Sequence, residues 1–246
     1  MRSRVRTIIF IGAAFILFIS GFFMVRFPVE ASHPVPGMIA IVLIALPAVI
    51  GAVRWLGTRR AILLLCSLAI FAYVIEYVGV TTGFPYSPFT YGGALGPKLF
   101  GVLPVLLPFA YVPLVLGVVA LCWSLRQRVE FFIPSVAVTL TLVDLVLDPG
   151  AVALGHWSYD LGGVYYGAPF YNFLGWLLSG SFAALIVALF VQEKRAPPRL
   201  LVVSAALMLV FWTGIALWYS LWVPLAIGVL FCAFCVWQWS HQVDAV

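Results

Sequence analysis

Three acidic residues lie within long apolar stretches of the sequence, where a charged side chain is costly. Glu76 follows the apolar run 71–75, and Asp144 and Asp148 flank the apolar tripeptide 145–147. An ionisable group in a transmembrane segment costs roughly 2.5–3.5 kcal/mol on insertion scales and normally faces the interior of a helix bundle. Burial disfavours the charged form of a carboxyl group, and a second carboxyl nearby disfavours it further. A cluster of these residues would therefore hold at least one proton at neutral pH and could donate it, while an ionised neighbour polarises water.

The same three carboxyl groups also have a purely structural interpretation. They can cap helix ends or accept hydrogen bonds from Tyr, Trp and Asn side chains in neighbouring loops. This alternative is strongest for Asp148, because it precedes Pro149 and such a pair is common where a helix ends. Asp144 and Asp148 are four residues apart, so they lie on one face if both are helical.

Seven further residues could bind a substrate or support the carboxyl groups: Tyr86, His156, Trp157, Tyr159, Tyr166, Asn172 and Trp176. Asn172 can orient a carboxyl group or a water molecule, or it can cap the start of a helix. His156 is a lone histidine, for which a place at the membrane interface is the favoured alternative. The aromatic residues are typical of interface belts and packing, but several together can line a pocket for a long apolar ligand and stabilise a cation through their π-faces.

Several classes of protein are excluded by what the sequence lacks. His33, His156 and His241 fall in three separate segments without metal-ligand spacing, so we expect no metal site. The sequence contains no G-x-G-x-x-G, P-loop or G-x-S-x-G motif. The net charge of +5 comes from scattered basic clusters with no continuous patch, so nucleic acid is not an expected partner.

The composition predicts that the whole chain is embedded in a membrane. Of 246 residues, 65% are hydrophobic and 9% are charged, whereas a typical soluble domain is about 25% charged. The apolar blocks are long enough to cross a hydrocarbon core as helices. We therefore predict an all-α, polytopic helix bundle that forms a single integral membrane domain over residues 1–246. Its eight transmembrane helices are expected at about 7–25, 37–53, 61–78, 102–124, 131–147, 170–191, 200–218 and 221–240.

The distribution of Lys and Arg predicts the orientation of this bundle. With the N-terminus in the cytoplasm, eleven of the thirteen basic residues fall inside, and only Arg26 and Lys98 fall outside. This bias places both termini in the cytoplasm and the three acids near the outer ends of the third and fifth helices. Two long outer loops, at 79–101 and 148–169, are rich in Gly, Pro, Tyr and Trp. We expect both loops to fold over the bundle or into it.

Three sequence elements together resemble the integral membrane carotenoid hydratases, the CruF-type or bisanhydrobacterioruberin hydratase-like proteins. The elements are Glu76-Tyr-Val-Gly79 followed by Gly83-Phe-Pro-Tyr86 and Tyr91; Asp144-Leu-Val-Leu-Asp148-Pro149 followed by His156-Trp157-Ser-Tyr159; and Tyr165-Tyr166-Gly167-Ala-Pro169 followed by Asn172-Phe173-Leu-Gly175-Trp176. The resemblance covers about 70–180. Tyr159 is a mild departure from the family pattern, which has Trp at this position.

The resemblance implies an enzyme that adds water to the terminal carbon–carbon double bond of an acyclic carotenoid and forms a tertiary alcohol. Such a hydro-lyase requires no cofactor. Its expected surroundings are the cell membrane, membrane lipid, the carotenoid substrate and other enzymes of carotenoid biosynthesis. Under this hypothesis Glu76 or Asp144 donates the proton, and Asp148 or its partner activates water. The residues leave open which carboxyl group has which role.

Two other functions remain compatible with the sequence. A proton-coupled transporter also places carboxyl groups within helices, although here the acids cluster near one side and no charged residue continues the path inward. The other is a non-catalytic membrane scaffold that binds carotenoid or lipid.

Overall fold

Over the residues that the structure describes, the fold is a bundle of eight α-helices. It is described by a computed structural model that covers residues 2–27, 33–191 and 196–241; Lys194 and Arg195, which contribute to the charge bias, lie outside the described residues. The helices are α1 (Arg2–Arg26), α2 (Val35–Leu56), α3 (Thr58–Thr82), α4 (Leu107–Leu121), α5 (Val129–Ala153), α6 (Phe170–Phe190), α7 (Leu200–Trp218) and α8 (Trp222–His241). Six are long and apolar enough to cross a membrane, and α4 and α8 are shorter apolar helices. The prediction of an all-α polytopic membrane bundle is confirmed.

Of the four helix ends that border the two outer loops, three differ from the sequence prediction. The third helix continues to Thr82, and the fifth continues to Ala153. The fourth begins only at Leu107 because Leu103–Pro104 forms a strand instead. The first outer loop is therefore 83–106 and the second is 154–169.

The fifth helix continues through Pro149 because a side chain supplies the hydrogen-bond donor that the proline lacks. A proline has no backbone N–H, so inside a helix it leaves the carbonyl four residues earlier without its usual partner. Here that carbonyl belongs to Leu145, and the Tyr165 hydroxyl donates a hydrogen bond to it at 3.0 Å. The helix therefore extends one turn beyond Asp148, and the expected helix end at Asp148-Pro149 is wrong.

The most buried of the six long apolar helices is α7, which packs against α1, α2, α4, α5 and α8. Each of these five neighbours places a glycine against it, and small residues allow membrane helices to approach closely. A Cβ added at any of these glycines would lie tightly against a side chain of α7; they are Gly21, Gly51, Gly117, Gly150 and Gly228. The helices α3 and α6 do not take part in this arrangement but pack against each other.

The outer loops contain four short strands, and one pair of these strands joins the two loops. Strands β1 (Phe89–Tyr91) and β4 (Trp157–Tyr159) pair antiparallel and so join the first outer loop to the second. Strands β2 (Lys98–Leu99) and β3 (Leu103–Pro104) form a hairpin within the first loop. The Lys98 ammonium group donates a hydrogen bond to the carbonyl of Tyr91, which ties this hairpin to β1.

The Tyr165 hydroxyl should stabilise the protein only because Pro149 is present. We expect Tyr165→Phe to lower the free energy of unfolding by about 1 kcal/mol, measured by denaturant unfolding in detergent micelles. In a Pro149→Ala background, where residue 149 regains its N–H, the same substitution should have a much smaller effect. The exposed Tyr171 provides the matched control, Tyr171→Phe. An equal loss in both backgrounds would contradict this role for Tyr165.

Candidate active site

The three acidic residues lie together inside the bundle, near the end that carries the two loops 83–106 and 154–169. Their exposed fractions are 6% for Glu76, 2% for Asp144 and 1% for Asp148. At the rise of an α-helix, Glu76 is about 9 Å from the end of α3, and Asp148 and Asp144 are about 8 Å and 14 Å from the end of α5. Glu76 is close enough to both aspartates for their charges to interact. The structure thus brings the three sequence candidates into one buried cluster, which we call the carboxyl cluster.

Asn172 connects the two aspartates of the carboxyl cluster. Its side-chain nitrogen donates hydrogen bonds to Asp144 Oδ2 at 2.8 Å and to Asp148 Oδ2 at 3.0 Å. Asn172 lies in the first turn of α6, where Pro169 occupies the N-cap position. Of the two roles that the sequence left open, the structure therefore has Asn172 orienting carboxyl groups rather than capping the helix.

The paired strands β1 and β4 supply the remaining donors. Trp157 Nε1 donates to Asp148 Oδ1 at 2.6 Å, and the Tyr159 hydroxyl lies 3.1 and 3.2 Å from the two oxygens of Asp148. The Tyr91 hydroxyl donates to Glu76 Oε2 at 2.8 Å. Burial raises the pKa of the Tyr91 and Tyr159 phenols well above their ordinary value of 10.0, so both remain protonated donors at neutral pH.

The paired strands β1 and β4 form a two-stranded ribbon. Its side chains alternate between two faces that differ in character. The side chains of Tyr91, Trp157 and Tyr159 reach inward to the acids, whereas Thr90 and Ser158 are exposed and contact each other across the strands at 3.4 Å. Successive residues of a strand point to opposite faces, so the register of β1 and β4 is what directs all three donors to the cluster. The ribbon therefore covers the acids with an aromatic face.

Tyr86 reaches into the bundle beside the carboxyl cluster. Its ring lies between Gly79 of α3 and Gly175 of α6, where an added Cβ would come within 2.8 Å and 2.5 Å of the ring, respectively. These glycines are part of the sequence elements described above, and the close approach of Tyr86 explains why neither position has room for a side chain. The ring also contacts Trp176, with centroids 6.3 Å apart.

Two of the predicted support residues lie away from the acids. The ring of His156 packs against Trp212 of α7, with centroids 6.1 Å apart, and its Nδ1 is buried without a hydrogen-bond partner. The hydroxyl of Tyr166, an exposed residue, instead accepts a hydrogen bond from the backbone of Val223 at 3.4 Å.

Other residues at the site received no role from the sequence. Tyr91 belongs to the aromatic residues that could line a pocket but is not among the seven predicted support residues, and the sequence pattern does not indicate Tyr111 or Ser179. Tyr111 and Ser179 are polar residues within the apolar helices α4 and α6, and polar groups at such positions often face a functional interior. That signal could have identified them, but only packing shows that they lie near Glu76.

The arrangement is suited to moving protons in a place shielded from water. Both oxygens of Asp148 accept hydrogen bonds, which stabilises its carboxylate form, whereas among the described residues Glu76 and Asp144 each receive one such bond. Adjacent buried carboxyl groups cannot all be ionised without large repulsion, so the cluster is arranged to hold a proton next to a carboxylate. No group of three His, Cys, Asp or Glu side chains in the described ranges has the arrangement of a metal site.

His156 should make the stability of the fold sensitive to acid. Burial lowers the pKa of His156 from 6.5 to about 4. Between these two values the unfolded chain binds more protons than the folded one, so stability decreases as pH falls through this range. We expect the midpoint temperature of unfolding, measured in detergent, to fall less between pH 7 and pH 5 for His156→Phe than for the unmodified protein. Equal drops would show that His156 does not contribute.

Comparison with known proteins places the chain in a family. The family described as carotenoid biosynthesis protein matches residues 33–235, which include the whole site. The bisanhydrobacterioruberin hydratase of Haloarcula japonica is 40% identical over 195 residues, which cover 76% of this chain and 66% of that protein. The chain thus spans just under two thirds of the length of this relative. No solved structure matches the chain. The resemblance seen in the three sequence elements is confirmed, and the chain belongs to the carotenoid biosynthesis protein family.

Proposed function

We propose that this protein is a carotenoid hydratase that adds water across the terminal carbon–carbon double bond of an acyclic carotenoid, in a reaction of the 1,2-hydratase type. The proposal rests chiefly on the carboxyl cluster, which is buried beneath an aromatic ribbon and hydrogen-bonded by Tyr91, Trp157, Tyr159 and Asn172. The printed name of the 40% identical relative, a hydratase of a carotenoid, supports the same reaction class.

Hydration of an isolated alkene begins with a difficult proton transfer. The proton forms a new C–H bond as the π bond breaks, and a tertiary carbocation remains. A neutral carboxyl group in an apolar site is a much stronger donor to carbon than water is. Glu76 and Asp144 each accept one hydrogen bond among the described residues. Glu76 is our candidate donor because it lies beside the aromatic residues Tyr86 and Tyr111.

The Asp148 carboxylate then stabilises the positive charge. The three donors of Asp148 favour its carboxylate form, and Asn172 fixes Asp144 beside it. A preorganised negative group in a site with little water interacts strongly with charge that develops during the reaction. The aromatic faces of Tyr86 and Trp176 add cation–π stabilisation. Attack of water on the cation forms the C–O bond, and the proton released from water returns to the cluster.

The substrate is expected to enter from the lipid, because a carotenoid partitions into the hydrocarbon core. We expect this membrane to be the cell membrane, and the charge bias supports an orientation with the carboxyl cluster near its outer surface. Enzymes that build unmodified acyclic carotenoid ends would supply the substrate and are the expected neighbours in the membrane.

Single amide substitutions in the carboxyl cluster test the assignment of roles. In a host that makes an acyclic carotenoid, Glu76→Gln should lower the hydroxylated product by about 100-fold or more, because the general acid is lost. Asp148→Asn should also lower it strongly, and Asp144→Asn less so. Product is measured by mass spectrometry at matched protein levels, with Asp160→Asn as the control, since Asp160 is an exposed acid of the second outer loop.

Each outcome of this series has a defined meaning. Unchanged product from both Glu76→Gln and Asp144→Asn would remove the carboxyl cluster from the mechanism. Loss from Asp144→Asn alone would transfer the donor role from Glu76 to Asp144. Carotenoid that co-purifies unmodified with the parent protein, without product in any host, would favour a pigment-binding scaffold.

Isotopes distinguish hydration from oxidation. With protein in H₂¹⁸O, the new hydroxyl should carry ¹⁸O, and in D₂O the product should retain one deuterium bonded to carbon after back-exchange into H₂O. Both labels are read as mass shifts of the alcohol. Hydroxyl oxygen that comes from O₂ would contradict hydration, and proton flux across liposomes without any product would favour a transporter.

A further inference from the structure

Three hydroxyl groups next to the carboxyl cluster are buried without a partner. They belong to Tyr86, Tyr111 and Ser179, whose exposed fractions are 2%, 3% and 0%, and none of the three oxygens forms a hydrogen bond within the described protein. Buried hydroxyl groups in folded proteins are nearly always hydrogen-bonded, and an exception commonly marks a site for a bound molecule such as water. Three exceptions in one place therefore require an explanation.

The three hydroxyls converge although they come from three different segments. Ser179 of α6 is close enough to interact with both phenols, and the phenol of Tyr86 also interacts with that of Tyr111 on α4. Both tyrosines interact electrostatically with Glu76. We call this group the hydroxyl cluster, and it borders the carboxyl cluster on the side of Glu76.

The tyrosine rings cannot readily turn to find other partners. The ring of Tyr86 lies tightly between Gly79 of α3 and Gly175 of α6. Tyr111 is stacked on Trp176, with ring centroids 5.8 Å apart. Packing therefore holds the hydroxyls near one another, yet without the geometry of direct hydrogen bonds between them.

We propose that the hydroxyl cluster binds the water molecule that hydration consumes and holds it beside Glu76. A buried water typically makes about three hydrogen bonds, and each hydroxyl can either donate or accept. A site of three hydroxyls thus suits one water and satisfies all three protein groups at once. This inference rests on the proposed function and adds the source and position of the nucleophile.

The position of this water beside Glu76 accounts for the proton balance of the whole reaction. After Glu76 has given its proton to the alkene carbon, the bound water forms the C–O bond to the tertiary cation. Its excess proton passes to the Glu76 carboxylate, which restores the acid for the next cycle. No oxidant, reductant or metal is consumed, and the net change is the addition of one water to one double bond.

Removing one hydroxyl should uncouple protonation from hydration. Without a held water, a cation formed by Glu76 loses a proton and returns to alkene, so in D₂O the unhydrated carotenoid should acquire deuterium. We expect Ser179→Ala and Tyr111→Phe each to raise the ratio of deuterated alkene to alcohol by about tenfold, the effect of one lost hydrogen bond. Purified protein in liposomes with an acyclic carotenoid, analysed by mass spectrometry, gives both quantities.

The control is Ser181→Ala on the same helix, because the Ser181 hydroxyl is bonded to the Leu177 carbonyl at 2.7 Å and should leave the ratio unchanged. A wild-type ratio in both test variants would overturn the water site while the proposed function stands. Loss of both deuterium exchange and hydration at normal protein level would also overturn the water site, because it would indicate that the substituted hydroxyls have a structural role. Absence of alcohol from the unmodified protein would instead refute the proposed function, and the water site with it.

Discussion

Three carboxyl groups buried in an apolar bundle must each find hydrogen-bond donors, and this requirement organises the outer half of the molecule. The donors come from the two outer loops and from α6, whereas the acids come from α3 and α5. The pairing of β1 with β4 is what allows one ribbon to serve acids on two helices. Without these contacts the cost of burying the carboxyl groups would be uncompensated.

The bundle separates its scaffold from its site. The scaffold is built around α7, where glycines of five neighbouring helices permit close packing. The site lies instead among α3, α5 and α6, with the loops above it, and here glycines serve a different purpose: Gly79 and Gly175 admit the ring of Tyr86. Two helices of the scaffold also reach the site, since α5 carries the two aspartates and α4 carries Tyr111. They connect the carboxyl cluster to the packed centre of the fold.

The family indicates a reaction for this protein, whereas the geometry of the site indicates a role for each acid. The relative from Haloarcula japonica carries the name of a reaction, and 40% identity makes that reaction the natural proposal. The arrangement of donors then differentiates three acids that are chemically alike: Asp148 is surrounded by donors, Asp144 shares Asn172 with it, and Glu76 borders the hydroxyl cluster. Environment rather than residue type separates their roles, as is usual for paired carboxyl groups in enzymes.

The sequence alone determined the class of the protein, because membrane burial imposes a composition and helix length that can be counted. It also placed Asp144 and Asp148 on one face, since a four-residue spacing has this meaning in any helix. It did not determine that α5 continues through Pro149, because the compensating donor, Tyr165, lies 20 residues from Leu145. Nor did it distinguish Tyr91, which reaches Glu76, from Tyr166, which does not. Such choices depend on strand register and ring packing between distant segments, and these exist only once the chain has folded.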